Sequence, residues 1–282
     1  MEDLLQKIIE CKSEEEVKEF VDEALAKQVE GSKKVGELGA WFRSTIYEGF
    51  IHPDTRMRIS NAALATYGMS TTDYLYEYAI LVWKVSILHD ARGLVDGLVP
   101  FLNMYFGITV PGKDERDDFL TEGVTLSDTD QDEFFETIMK HNIGDLKGKG
   151  IAACMERSAV AQNILSLFGF DSFFCVGVVQ HGDSYEDHAF NIIRFGNRYL
   201  LVDCSKAVPQ KQLDGKIIYK PFYAEIPADK IEDFMHNKVA IGFRDYEIVE
   251  TSEGLKTVPL GERQYIAGTA KDDLKTGMKM GS

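Results

Sequence analysis

At 282 residues, 44% hydrophobic and 11% aromatic, the chain is long and apolar enough to bury a core, in one or two domains. A formal net charge of −15 repels phosphate backbones, so composition excludes nucleic acid as an expected partner. No uninterrupted apolar stretch of about eighteen residues occurs, so no helix is expected to span a membrane.

The opening "MEDLLQKIIECKSEEE" is acidic and amphipathic, not basic and then apolar. That predicts no signal peptide and a cytoplasmic protein. Ser13 and Glu16 have capping-box spacing, and Val17, Phe20, Val21 and Leu25 form one stripe, so residues up to about 30 read as helix. Helical patterning continues over 35–106, with breaks at His52-Pro53 and Gly68. The longest run, "STTDYLYEYAILVWKVSILHDAR", is capped by Ser70 or Thr71. Its stripe of Leu75, Tyr78, Ala79, Val82, Val85 and Ser86 predicts a core-facing surface. Pro100 marks a kink or a new helix start. Residues 107–130 are polar and acidic without EF-hand spacing, and Asp130 then caps a short helix.

Beyond residue 150 the texture changes. "CMERSAVAQNILSLFGF" reads as a helix with Ala161, Ile164, Leu165 and Phe168 facing inward and Gly169 ending it. "SFFCVGVVQ", "HAFNIIRF" and "RYLLVDCS" read as strands, the last two joined by a tight turn at Gly196-Asn197. "GDSYED" reads as a turn. Further strands follow at "KIIYKPFYAEI", "VAIGFRDYEIVET" and "LKTVPL", with a short helix at "DKIEDFMHN" and a disordered tail. Helices first and an antiparallel sheet after predict an α+β fold. The expected organisation is a helical N-terminal region over 1–110, a core over 111–268 and a flexible tail over 269–282.

The four cysteines, Cys11, Cys154, Cys175 and Cys204, are widely spaced without a CxxC pair. That is neither a disulfide framework nor a zinc pattern, and reduced thiols are expected. Cys154 stands out because the loop Gly148-Lys149-Gly150 meets a helix there. Thiolate is the nucleophilic form, and a helix N-terminus favours it. The unpartnered N–H groups of that terminus can also serve as oxyanion donors.

A cysteine nucleophile needs a base, and the base needs an orienting group. His188 opens one strand of the 196–197 hairpin and Asp203 ends the other. Counting back from the turn sets Phe195 opposite Arg198 and Ile192 opposite Leu201. His188 and Asp203 then meet at the same end of the hairpin, where a carboxylate can accept from an imidazole N–H. Asp203 follows an apolar run, so it should be partly buried and therefore paired.

These residues resemble the transglutaminase-like, papain-related cysteine enzymes. The resemblance covers 148–205: a cysteine opening a helix, a strand, then "HAF…GNRYLLVD". It implies a triad of Cys154 as nucleophile, His188 as base and acid, and Asp203 as orienter, on a helix packed against an antiparallel sheet. There are departures. Phe190 replaces a usual tryptophan, Ala152-Ala153 precede the cysteine where a glycine often stands, and Cys204-Ser205 follow the aspartate where proline and a hydroxyl residue are common. No side-chain oxyanion donor is assigned. Gln162 and Asn163 lie too far along the helix, and Asn142 qualifies by position only.

The expected function is acyl transfer from an amide, of a peptide or of a glutamine side chain, through a thioester. Hydrolysis by a protease or deamidase is favoured, and the expected partner is a protein or peptide substrate. Neither a metal nor an organic cofactor is required. Two alternatives stand beside it: a non-catalytic protein-binding module on the same scaffold, and a cross-linking transglutaminase. His181 is expected exposed in a turn, Cys175 in the core, Cys204 on the face opposite Asp203, and Trp41 and Trp83 in the core or between domains.

Overall fold

The computed structural model describes residues 2–33, 73–107, 115, 119, 143–235 and 239–267. The helices expected over 35–68, Trp41, the acidic stretch, the helix after Asp130, Asn142 and the tail lie outside the described residues, single positions apart.

The helical part holds α1 (Glu2–Glu10), α2 (Glu14–Lys33), α3 (Asp73–Lys84), α4 (Ala91–Asp96) and α5 (Leu98–Phe106). Where one N-terminal helix is expected there are two, because Ser13 caps the second: its Oγ accepts from Glu16 N–H at 3.3 Å. The Glu16 carboxylate reaches past Ser13 to accept from Lys12 N–H at 2.8 Å. The run expected from Ser70 to Arg92 also divides. A 3-10 turn, Ser86–Leu88, intervenes, and Asp90 caps α4 by accepting from Gly93 N–H at 2.7 Å. Leu75, Tyr78, Ala79 and Val82 are buried as expected, whereas Val85 is half-buried and Ser86 exposed. Pro100 falls in the first turn of α5, where its missing N–H has no intrahelical role.

After a 3-10 turn at Ile143–Leu146 comes α6 (Cys154–Leu167). It ends on Gly169 at φ 74°, with Phe170 N–H donating to Leu165 O and Gly169 N–H to Ser166 O. This is the paired-bond helix stop in which only glycine sits without strain. Strands β1 (Asp171–His181), β2 (Ser184–Phe195), β3 (Arg198–Lys211), β4 (Ile217–Ile226), β5 (Ile241–Thr251) and β6 (Gly254–Ala267) follow, with α7 (Ile231–Met235) before β5.

The sheet order is β2-β1-β6-β5-β3-β4, and β2 also pairs with β3. Pairing therefore runs around β1, β6, β5, β3 and β2 and returns to its start, so the sheet closes on itself. All pairs are antiparallel except the contact of Gln210 and Lys211 with Ile248 and Val249. Phe190, Ile192, Leu201, Val208, Phe222, Phe234 and Tyr265 pack together in one cluster. A second cluster joins Ile8, Val17 and Val21 to Leu98, Phe101 and Phe106, then to Ile164, Leu165 and Phe168 of α6, and on to Ile193, Val202 and Cys204. Each such side chain taken from water contributes about 1.5–3 kcal/mol.

Helix α6 is therefore walled in on two sides, by helices and by sheet. Its polar residues bond to the sheet: Ser158 Oγ donates to Ala189 O at 2.9 Å and Gln162 Nε2 to Ser172 O at 3.1 Å. Asn191 Nδ2 donates back to Ser158 O and to Gln162 Oε1, both at 3.1 Å. The molecule is α+β, helices against a largely antiparallel sheet. No helix among the described residues is long and apolar enough to cross a membrane.

Candidate active site

Three features set the position of Cys154. Gly148 and Gly150, at φ 72° and 71°, turn the chain, and their N–H groups donate to Tyr105 O (2.9 Å) and Phe106 O (2.7 Å) at the end of α5. Arg157, 4% exposed, donates to Ala152 O at 3.2 Å, Asn103 Oδ1 at 2.9 Å and Gly107 O at 2.9 Å. The buried Glu156 carboxylate accepts from Ala153 N–H at 2.9 Å. Ala153 is the N-cap, and its methyl side chain makes no capping hydrogen bond. All four cysteines are free thiols, and Cys154 alone is not buried.

His188 and Asp203 sit where β2 and β3 part. The two strands pair from Phe195↔Arg198 to Asn191↔Val202 and no further, with Ile192 facing Leu201 as the turn count predicts. Asp203 lies one residue past the last pair and His188 three residues before it, and their side chains bridge the gap. His188 Nε2 stands 2.7 Å from Asp203 Oδ2, with the residues 6% and 0% exposed.

Two expectations are corrected. Asp203 does not end its strand, because β3 continues through a bulge to Lys211. His188 does not open its strand. Gly182, at φ 59°, makes a two-residue turn with Asp183 suffice, so β2 starts at Ser184 and His188 faces Gly177 in register.

The electrostatics follow from burial and partners. Burial alone favours a neutral ring, but the Asp203 charge, its hydrogen bond and a hydrogen bond with Cys154 outweigh it and hold the His188 pKa above its ordinary 6.5, at about 10. Burial likewise works against the Asp203 anion. The His188 charge and the bonds from His188, Ser205 and Tyr265 overcome it and hold the carboxyl well below the usual range. With Nε2 turned to Asp203, Nδ1 is the nitrogen left for the thiol.

Several partners of the carboxylate are invisible to sequence reasoning. Oδ1 accepts from Ser205 Oγ (2.8 Å), Ser205 N–H (3.0 Å) and Lys206 N–H (3.1 Å), and Oδ2 from Tyr265 OH (2.8 Å). Ser205 Oγ also lies 3.3 Å from His188 Nε2. The Oδ1 set exists because β3 bulges: Asp203 faces Phe222 and Ala207 faces Pro221, so residues 204–206 arch out of register with β4. Pro221 has no N–H to give the ladder, and bulges gather at such points. The one local signal was Pro221 itself. Tyr265 has none, being 62 residues away in sequence.

The remaining expectations fall as follows. Cys175 packs in the cluster with Phe190, and Cys204 in the cluster facing the helices, on the other side of β3 from Asp203. Burial pushes both thiols up. His181 is exposed, with Nδ1 3.2 Å from Glu262 O. Gln162 and Asn163 bond within the core, the latter to Tyr74 OH at 2.6 Å. Trp83 is half-buried and donates from Nε1 to Cys11 O at 2.8 Å, tying α3 to the turn before α2. Among the described residues, no cluster of three or more His, Cys, Asp or Glu side chains is spaced to hold a metal ion.

No known family model matches the chain, and neither does any curated protein or solved structure.

Proposed function

We propose that the protein is a cysteine-dependent acyl-transfer enzyme acting on amide bonds, built on a transglutaminase-like, papain-related core. The carrying observation is a buried imidazole hydrogen-bonded to the Asp203 carboxylate, next to the one thiol of the four that is not buried.

The chemistry closes in two halves. Sulfur adds to the amide carbonyl carbon while the proton of the thiol–imidazole couple is held on His188, and the oxygen takes the negative charge. The backbone N–H of Cys154, at the start of α6, is the candidate donor to that oxygen. As the tetrahedral species collapses, the C–N bond breaks, His188 protonates the departing amine and a thioester remains. Water then attacks: His188 takes its proton, the C–S bond breaks, and the thiol–imidazole couple is restored with the proton on His188. Asp203 keeps the ring oriented throughout and stabilises its charged form. The substrate is a protein or peptide, with a main-chain or glutamine side-chain amide as the group attacked. No cofactor enters the cycle.

The test has two parts. Iodoacetamide at neutral pH should label Cys154 far faster than Cys11, Cys175 or Cys204, and His188→Ala should remove that preference. Intact-mass analysis of incubated peptides then identifies the acceptor, as cleavage, amide-to-acid conversion or joined peptides. Equal slow labelling of all four cysteines would end the proposal.

A further inference from the structure

Asp203 Oδ2 is shared. His188 Nε2 and Tyr265 OH approach the same oxygen, at 2.7 and 2.8 Å. Tyr265 is fully buried, and its ring packs edge-on against Phe190 at 5.3 Å and stacks on Phe222 at 6.0 Å between centroids. Behind it, Arg263 Nη1 lies 3.5 Å from the phenol oxygen, 7% exposed and over the Phe222 ring. The hydroxyl therefore receives from a cation and gives to an anion, which strengthens it as a donor. Burial first, and the Asp203 charge next, push its pKa well above an ordinary phenol's. It stays protonated, and a donor, across the working range.

A carboxylate oxygen with one donor gives its full basicity to that donor; with two it divides it. We propose that Tyr265 is a positioning residue that weakens the hold of Asp203 on the imidazolium of His188, so that His188 can return its proton to the departing amine. This deepens the acyl-transfer reading and rests on it. An imidazolium held too tightly forms readily but is a poor acid, since a catalytic proton is best held near the operating pH. The groups facing His188 are Cys154 from α6, Asp203 from β3, Ser205 from the bulge and Tyr265 from β6, with Arg263 behind Tyr265. The β1 residue in register with it is Gly177, which carries no side chain.

The direction of the effect separates this role from a structural one. Removing the hydroxyl should strengthen the His188–Asp203 pair, whereas simple loosening of the site would weaken it. The experiment is a titration of the full chain with isotope-labelled histidine, followed by imidazole NMR, the His188 signal being assigned by its loss in His188→Gln. Tyr265→Phe keeps the packed ring and should move the His188 midpoint upward by roughly one pH unit, about tenfold in proton affinity. Replacing Tyr265 by 3-fluorotyrosine, a stronger donor of nearly the same volume, should move it downward. A midpoint in Tyr265→Phe that stays or falls overturns the proposal. Should that variant not fold, the fluorinated protein decides alone, and an unchanged or raised midpoint there is fatal. Alkylation of Cys154 in wild type and His188→Ala, run alongside, reports separately on the acyl-transfer reading.

Discussion

Gly177 and Ile266 lie so close that a Cβ on the glycine would stand 2.0 Å from the Ile266 carbonyl oxygen. Gly177 faces His188 on one side and Ala267 on the other, so this contact sets β6 against β1 beside the histidine. Gly177→Ala must push β6 away, and Tyr265 moves with it. We expect a loss of about 1–3 kcal/mol in urea denaturation, the usual range for an overpacked interior. Cys154 alkylation should slow in the same variant while it is still folded.

Asp203→Asn keeps the shape and removes the charge that holds His188 above its ordinary pKa. Under the acyl-transfer reading, turnover should fall by about 10²–10⁴-fold, as for other orienting carboxylates. Cys154→Ser should abolish it. Measured rates on a peptide found by mass analysis decide; an Asp203→Asn enzyme within a few-fold of wild type would remove Asp203 from the triad.

The same pair sets a pH dependence of stability. His188 is raised from 6.5 to about 10, so its contribution is complete below pH 6.5 and is lost as pH rises through about 10. Asp203 is lowered, so its contribution is present above its ordinary value of 3.8 and is lost as acid protonates the folded carboxyl below that. Wild type should therefore exceed Asp203→Asn in stability most clearly between about pH 4 and 6.5, with the margin shrinking on both sides. Denaturant titrations at a series of pH values give the comparison directly; a margin constant with pH would contradict the pairing.

Arg157→Gln should act on Cys154 through the turn that precedes it. Its guanidinium joins Ala152, two residues before Cys154, to Asn103 and Gly107 at the end of α5. Losing a buried, charged donor leaves those acceptors unmatched, at about 1.5–3 kcal/mol. The expected readout is a lower melting temperature together with a slower and less selective Cys154 alkylation. Melting without change in selectivity would limit Arg157 to a packing role.

How far the sequence carries depends on distance along the chain. The 188–203 pairing was legible because a two-residue turn fixes register by counting, and Phe195↔Arg198 and Ile192↔Leu201 are as counted. The end of α6 at Gly169 was legible because a left-handed residue is needed there. The early start of β2 was missed because "SYED" is polar, and its pairing with β1 rather than its composition makes it a strand. Division of the run after Ser70 was missed because Asp90 and Gly93 act through a cap that interrupts no apolar stripe. Tyr265 was out of reach because nothing local to β6 refers to β3.

Closure of the sheet has a temporal consequence. The thiol, the imidazole and the carboxylate are all translated by residue 203, yet the strand carrying Tyr265 and sealing β1 is made some sixty residues later. A nascent chain holding only the first three groups has no sealed wall behind His188 and keeps Asp203 open to water. Under the acyl-transfer reading, the surroundings of the His188–Asp203 pair are therefore complete only once β6 has been made.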